Sequence, residues 1–178
     1  NTDLDITLVS CMDDYPNPSL SGSAVVWKTM AYVDFMNLTN FADDLIDLAA
    51  TGLVGDMMDL SNAENRYICH KGFCNLVNPA LKQIVGGHMF NAESVLYSVS
   101  PLINSCMRTN NNNVAMQMFL EEDDNELKSL IKEAKQAKEQ QKKMVDDVID
   151  SLMEQLDEQH DKKCKVFFIP SEYRTLSG

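Results

Sequence analysis

The feature that most constrains this chain is a long apolar stripe in its last third. Apolar side chains recur at steps of three and four residues across residues 127–156, and Lys, Glu, Gln and Asp fill most positions between them. This pattern predicts one amphipathic α-helix, and Asp123 with Glu126 has the form of a capping box. At 1.5 Å per residue the helix would be on the order of 50 Å long. That length is typical of a connector between two domains.

The rest of the sequence predicts shorter elements. Residues 24–36 are apolar on most sides, so a mostly buried helix is expected there. A helix over residues 43–50 should end at Gly52 and Gly55, because glycine permits tight backbone turns. The remaining predictions are helices over 65–76 and 80–85, a loop over 13–22, a loop or helix start over 110–113, and strands over 5–11 and 165–169. Together these elements predict an α/β fold that is rich in helix.

The overall charge is strongly acidic. Fifteen basic residues face 27 acidic ones, which gives a net charge of −12. Such a chain neutralises few phosphates, so its charge alone argues against nucleic-acid binding through counterion release. The charge does not exclude an enzyme whose bound metal ions meet the phosphate, because those ions are the largest local charges in such a site.

The location of the protein is suggested by features that the sequence lacks. No stretch approaches the roughly 18 consecutive apolar residues of a membrane span, and residues 1–8 lack the pattern of a signal peptide. The five cysteines are scattered, which is typical of reduced intracellular thiols. A cytoplasmic protein with no membrane partner is therefore expected. Because the chain starts without Met and ends just after an apolar run, we expect an internal piece of a longer protein.

One segment carries a candidate metal ligand. Residues 48–60 contain Asp56 directly after a glycine and between apolar residues. A carboxylate held in this way is well placed to bind a hard metal ion. On spacing alone, however, an aspartate that follows a helix is more often a solvated cap than a ligand.

The same segment resembles a known family. Residues 47–60 read Asp-Leu-Ala-Ala-Thr-Gly-Leu-Val-Gly-Asp-Met-Met-Asp-Leu, followed by Glu64-Asn65-Arg66. RecJ-like exonucleases of the DHH phosphoesterase superfamily have a similar pattern, Asp-Leu-x-Ala-x-Gly-Thr-x-x-Asp-x-x-Pro-Leu, followed by Asn-Arg. The resemblance continues in the same order through further segments, namely residues 15–28, 78–81, 100–108, the long helix and residues 166–178.

Three positions depart from the family pattern, and this divergence suggests a distant relative, of the kind that a phage genome could encode. Asp59 stands in place of a proline, Leu102 in place of an arginine and Met107 in place of a glycine. The loss of the arginine puts tight binding of DNA at that point in doubt. The acidic motifs and the Asp-His-His motif of the family do not occur in this chain and would lie before Asn1.

The resemblance implies a domain organisation and an activity. Residues 1–108 would be the later part of a DHH catalytic domain, 109–163 the helical linker, and 164–178 the start of the DHH-associated C-terminal domain. The longer protein would be a metal-dependent exonuclease acting on single-stranded DNA in recombination, repair or phage DNA metabolism. Its cofactor would be two Mn²⁺ or Mg²⁺ ions.

The resemblance also implies roles for single residues. Asp56 would bind one ion, and Asn104 and Arg108 would contact the DNA backbone. This chain alone, with one carboxylate of the set, would be inactive. The alternative is a non-catalytic acidic module that binds a protein through the long helix.

Overall fold

The computed structural model describes residues 15–157, 159, 163–171 and 173, and within these residues it is built from helices. The chain divides into two compact units, residues 1–100 and 101–178. The first unit contains α1 (Gly22–Asn37), a 3₁₀ helix (Phe41–Leu45), α2 (Ile46–Gly55), α3 (Ala63–Cys74), α4 (Pro79–Val85), α5 (Ala92–Ser94) and a π-helical turn (Val95–Val99). From the boundary onward the helices are α6 (Ser100–Arg108), α7 (Asn112–Leu120) and α8 (Asp124–Asp157).

The core of the first unit forms where α2 packs against α3. Leu53 on α2 and Ile68 on α3 are fully buried. The two helices approach so closely that a Cβ atom on Gly72 would lie 2.5 Å from the Cβ of Ala50 and 2.6 Å from the carbonyl oxygen of Ile46. Glycine at position 72 is therefore a packing requirement, although it weakens a helix interior relative to alanine.

Helix α2 is longer than the sequence predicted. It continues through Gly52 and ends after Gly55, so the expectation that Gly52 would help to end the helix was wrong. A Cβ on Gly52 would lie 1.9 Å from the Oγ of Ser23. Gly52 thus allows the start of α1 to lie against α2 while its own backbone stays helical.

Helix α1 is less buried than the sequence predicted. Within it only Ala24 and Asp34 are buried, and Phe35 is 75% exposed. Apolar residues occur on most sides of α1, but α2 and the 3₁₀ helix cover one side of it. The indole N–H of Trp27 donates to the carbonyl oxygen of Ala42 at 2.8 Å and fixes this contact.

Several helix ends follow their local sequence. The side chain of Asn78 accepts hydrogen bonds at the start of α4, and Pro79 occupies the first turn, where its missing N–H is not needed. Gly86 ends α4 in the left-handed conformation, with φ 61°. Asn111 directly precedes α7. The helix predicted over residues 80–85 is confirmed, and both of its ends depend on residues adjacent in the chain. Of residues 110–113, Asn112 and Asn113 lie in the first turn of α7.

The second unit contains the predicted long helix. Helix α8 runs from Asp124 to Asp157, and the Asp123 carboxylate accepts the backbone N–H groups of Asn125 and Glu126 at its start. Its first half packs against α7 and buries Leu127, Ile131, Ala134 and Ala137. Between Ala137 and Asp157 no side chain is fully buried. The docking of α8 onto a neighbouring domain stays a prediction.

The predicted strand over residues 165–169 is not confirmed. These residues have no regular secondary structure and form no ladder with another strand in the described part of the chain. Instead the side-chain amide of Gln155 donates to the carbonyl oxygen of Phe168 and accepts its N–H, at 2.9 and 2.8 Å. Gln159 pairs with Val166 in the same way, at 2.8 and 3.1 Å. The segment is therefore bonded to the side chains of Gln155, in α8, and Gln159, just after α8, rather than to a partner strand.

Three other expectations concern larger features. The predicted strand over residues 5–11 lies outside the described residues. The described residues confirm the helical part of the α/β prediction. The three predicted domain ranges, 1–108, 109–163 and 164–178, stay a prediction. Among the helices of the described residues, none combines the length and the apolar character that crossing a bilayer requires.

Candidate functional site

The predicted metal ligand lies at the end of α2. Asp56 is the C-cap residue, and its backbone N–H donates to the carbonyl oxygen of Gly52 at 3.0 Å. Its side chain is exposed and makes no hydrogen bond to another described residue. The C-terminal end of a helix carries partial negative charge. The carboxylate and the helix end are both negative, and both therefore favour a bound cation.

The backbone around Asp56 is fixed by the way in which α2 ends. The N–H of Met57 donates to the carbonyl oxygen of Val54 at 3.0 Å, and that of Met58 donates to Leu53 at 2.9 Å. This pair of bonds is a Schellman motif. It places Met57 in the left-handed region, with φ 55°, where glycine is usual. Asp56 is thus held on an ordered turn.

Asp59 lies close in sequence but has a different environment. Its two carboxylate oxygens accept the backbone N–H and the hydroxyl of Ser61, at 2.8 and 2.7 Å. The hydrogen bond from the Ser61 hydroxyl has the larger effect and the one from the Ser61 N–H the smaller. Together they hold the pKa of the Asp59 carboxyl below its usual range. Because both oxygens are engaged within the turn, this carboxylate suits a structural role better than metal binding.

Asp47, the first residue of the motif, is fully buried. Its Oδ2 accepts the backbone N–H groups of Val77 and Asn78, both at 2.8 Å. Its Oδ1 accepts the N–H of Leu48 at 2.8 Å. Asp47 therefore holds the loop between α3 and α4 on α2, and its lone pairs are not available to a metal ion.

Asn65 fixes the segment that follows Asp56, a role that the sequence motif did not reveal. It is fully buried, and its Nδ2 donates to the carbonyl oxygens of Ser19 and Asp59 at 2.7 and 2.8 Å. Its Oδ1 accepts from Asn17 at 2.9 Å. The neighbouring Glu64 forms an ion pair with Lys28. This role follows from the burial of the Asn65 side chain and from its hydrogen bonds to two loops, and only the structure shows these features.

The two predicted DNA contacts lie together on α6. Asn104 and Arg108 are four residues apart and so occupy neighbouring positions on one helix face. Asn104 is exposed and Arg108 is half-buried. The structure therefore brings these two residues together in the second unit, whereas Asp56 belongs to the first unit.

The fit to a metal ion is partial. Across the described ranges, no three or more His, Cys, Asp and Glu side chains form a group that could hold an ion. Asp56 fits as one oxygen ligand of a hard cation. Burial raises the pKa of the Cys69 and Cys106 thiols, which favours neutral thiols that pack in the core.

Comparison with known proteins shows what the chain is similar to. No known family model matches the chain. The matches found are to RecJ-like single-strand DNA-specific exonucleases, and the chain is homologous to a segment of these proteins. It is 30% identical over 139 residues to the single-stranded-DNA-specific exonuclease RecJ of Bacillus subtilis strain 168, which covers 74% of this chain and 17% of RecJ.

A phage-borne relative matches as well. The protein YorK, provisionally named a single-strand DNA-specific exonuclease, is 26% identical over 112 residues, which covers 60% of this chain and 19% of YorK. It occurs in the SPbeta prophage of Bacillus subtilis and in Bacillus phage SPbeta. The chain therefore spans less than a fifth of the length of the relatives that it matches.

Proposed function

We propose that this chain is part of a metal-dependent nuclease that hydrolyses phosphodiester bonds of single-stranded DNA and releases nucleotides from an end. The observation that carries the proposal is the similarity to RecJ and YorK, each named for single-strand DNA-specific exonuclease activity. The exposed carboxylate of Asp56 at the negative end of α2 supports it. The similarity also favours a nuclease over a non-catalytic acidic module that binds proteins through α8.

Each candidate residue has a role in this proposal. Asp56 supplies one oxygen ligand to one of two Mn²⁺ or Mg²⁺ ions, and the other ligands come from outside the described residues. When bound, the ions would activate a water molecule and neutralise charge on the leaving oxygen. Arg108 binds a phosphate through charge-assisted hydrogen bonds, and Asn104, on the same face of α6, positions the adjacent backbone.

The test is Asp56→Asn in a protein that contains the complete metal site. The substitution keeps the shape of the side chain but removes its charge, and a neutral amide is a poorer ligand for these ions. We expect the barrier to rise by several kcal/mol, which is on the order of 100-fold or more in rate. The measurements are the initial rate on single-stranded DNA across a Mn²⁺ titration and the affinity for Mn²⁺ by calorimetry.

The matched control is Asp59→Asn. It makes the same chemical change three residues away, but the carboxylate of Asp59 is engaged by Ser61. We expect this variant to keep the parental rate and the parental affinity for Mn²⁺. Parental rates for Asp56→Asn at low Mn²⁺, or equal losses in both variants, would show that the site assignment is wrong.

A further inference from the structure

Two glutamine side chains hold residues 165–169, named here the strap, against the end of α8. The side-chain amide of Gln155 pairs with the N–H and the carbonyl oxygen of Phe168, and that of Gln159 pairs with those of Val166, at 2.8–3.1 Å. The later glutamine pairs with the earlier residue of the strap. The strap therefore runs back along α8, in the direction opposite to the helix.

The spacing of the two glutamines fits the spacing of the residues that they bind. Four residues of an α-helix rise about 6 Å, and two residues of a strand rise about 6.6 Å. Side chains one helical turn apart can therefore pair with alternate residues of the strap. The next alternate residue is Pro170, which has no N–H to donate, and the side chain one turn earlier on α8 is the shorter Ser151. The pairing is thus limited to two positions.

Other interactions contribute little to holding the strap. The backbone N–H and carbonyl groups of Lys165, Phe167 and Ile169 have no hydrogen-bond partner among the described residues. The four apolar side chains of the strap are 41–78% exposed. Burial of apolar surface is the dominant favourable term in folding, and the strap gains only a small part of it. The hydrogen bonds of the two glutamines therefore decide whether the strap stays on α8.

Opening of the strap leaves neither glutamine amide without a partner. The Nε2 of Gln159 also lies 3.2 Å from the carbonyl oxygen of Gln155, and the Nε2 of Gln155 lies 3.5 Å from the hydroxyl oxygen of Ser151. Both glutamines are half-buried, so water can reach the groups that the strap releases. A polar group is costly only when it is buried without a hydrogen bond, and opening creates no such group.

The closed position of the strap is consequently favoured only slightly. One net hydrogen bond changes an equilibrium by about two- to tenfold, and four such bonds hold the strap. Fixing each glutamine side chain disfavours the closed position by roughly tenfold or more, and fixing the backbone of the strap disfavours it further. The balance leaves the closed position favoured by about 3- to 100-fold.

We propose that the strap is a latch, which opens and closes in the folded protein while α8 stays helical. When closed, it directs the chain back along α8. When open, it frees residues 165–169 to take another direction, so the end of α8 acts as a hinge. The proposal depends on the two glutamines, and it is independent of the proposed nuclease activity and of any metal ion.

The test is amide hydrogen exchange of the 178-residue chain, measured for each residue by NMR, because exchange rates report local opening. The latch variant is Gln155→Met with Gln159→Met. Methionine has nearly the same length and helix propensity as glutamine, but it lacks the amide. The matched control is Gln140→Met with Gln141→Met, which changes two glutamines of α8 that form no hydrogen bond with the strap in the described part of the chain.

The expected result is protection from exchange at alternate residues of the strap. In the parent, the N–H groups of Val166 and Phe168 should exchange about 3- to 100-fold more slowly than in an unstructured chain. Those of Phe167 and Ile169 should exchange at the unstructured rate. The latch variant should bring all four to that rate, and the control should keep the parental pattern. The N–H of Val148, within α8, should exchange equally slowly in all three proteins.

Four outcomes overturn the proposal. Equal exchange rates along the strap of the parent would show that it is always open, and protection above about 100-fold at Val166 and Phe168 would show that it is fixed. Unchanged protection in the latch variant, or an equal loss in the control, would show that Gln155 and Gln159 do not hold the strap. Faster exchange at Val148 in the latch variant would show that α8 opens together with the strap.

Discussion

The contact between α2 and α3 gives the sharpest prediction about stability. In most helices Gly→Ala is stabilising, because alanine has the higher helix propensity by about 0.8–1.0 kcal/mol. At Gly72 the structure predicts the opposite. A Cβ atom there would lie 2.5 Å from the Cβ of Ala50 and 2.6 Å from the carbonyl oxygen of Ile46. Both atoms belong to α2, and no side-chain rotation can move either one away.

The size of the effect follows from these distances. Ordinary contact begins near 3.4 Å, so the two helices must separate by about 1 Å at Gly72, which disturbs the packing of Leu53 and Ile68. Overpacking of this kind costs about 1–3 kcal/mol, and contact with a backbone carbonyl places Gly72→Ala toward the upper end. After the gain in propensity, the net loss should be about 2 kcal/mol. The midpoint of thermal unfolding should then fall by about 4–8 °C.

The assay is urea unfolding followed by tryptophan fluorescence. Trp27 is the one tryptophan of the chain, and it packs on the 3₁₀ helix through Ala42, so its emission reports on the first unit. The control is Gly22→Ala in the first turn of α1, where an added Cβ meets no atom within 4 Å. That variant should be as stable as the parent or slightly more stable. If Gly72→Ala matches Gly22→Ala, the close approach of α2 and α3 is refuted.

Two further substitutions test other parts of the fold. Asp47→Ala removes the acceptor of the Val77 and Asn78 N–H groups, and it should cost roughly 2–4 kcal/mol in the same urea assay. The exposed Asp44→Ala should change stability by less than about 0.5 kcal/mol, and equal effects of the two would disprove the anchoring role. Val148→Pro removes a helix hydrogen bond at a cost of about 3 kcal/mol, and it should lower the helical signal in circular dichroism, because the second half of α8 buries no side chain fully. An unchanged spectrum would contradict a continuous α8.

The parts of the fold that could be predicted depend on local chemistry. The start of α8 at Asp123 and the short helix predicted over residues 80–85 each depend on residues adjacent in the chain. The apolar stripe of α8 recurs at steps of three and four residues over many turns, a pattern that a strand does not produce. Such signals need no knowledge of what lies elsewhere in the molecule.

The parts that could not be predicted depend on distant partners. Gly52 has the sequence context of a helix end, but it serves a contact with Ser23. Helix α1 is apolar enough to be buried, yet burial requires neighbours on every side, and the described residues supply them on one side only. Residues 165–169 have the composition of a strand, but a strand also needs a partner, and Gln155 and Gln159 occupy its place in the structure.

The candidate site shows the same limit within one short motif. Asp47, Asp56 and Asp59 are chemically identical in the sequence, and a resemblance to a family is needed to choose between them. The structure separates them by the hydrogen bonds that each carboxylate accepts. The buried backbone N–H groups engage Asp47, and Ser61 engages both oxygens of Asp59. A hard cation needs oxygen ligands whose lone pairs are not already used by hydrogen bonds within the protein. Of these three carboxylates, Asp56 alone is exposed with no hydrogen bond to another described residue, and its role as a metal ligand, which the family resemblance implies, stays a prediction for the Asp56→Asn test.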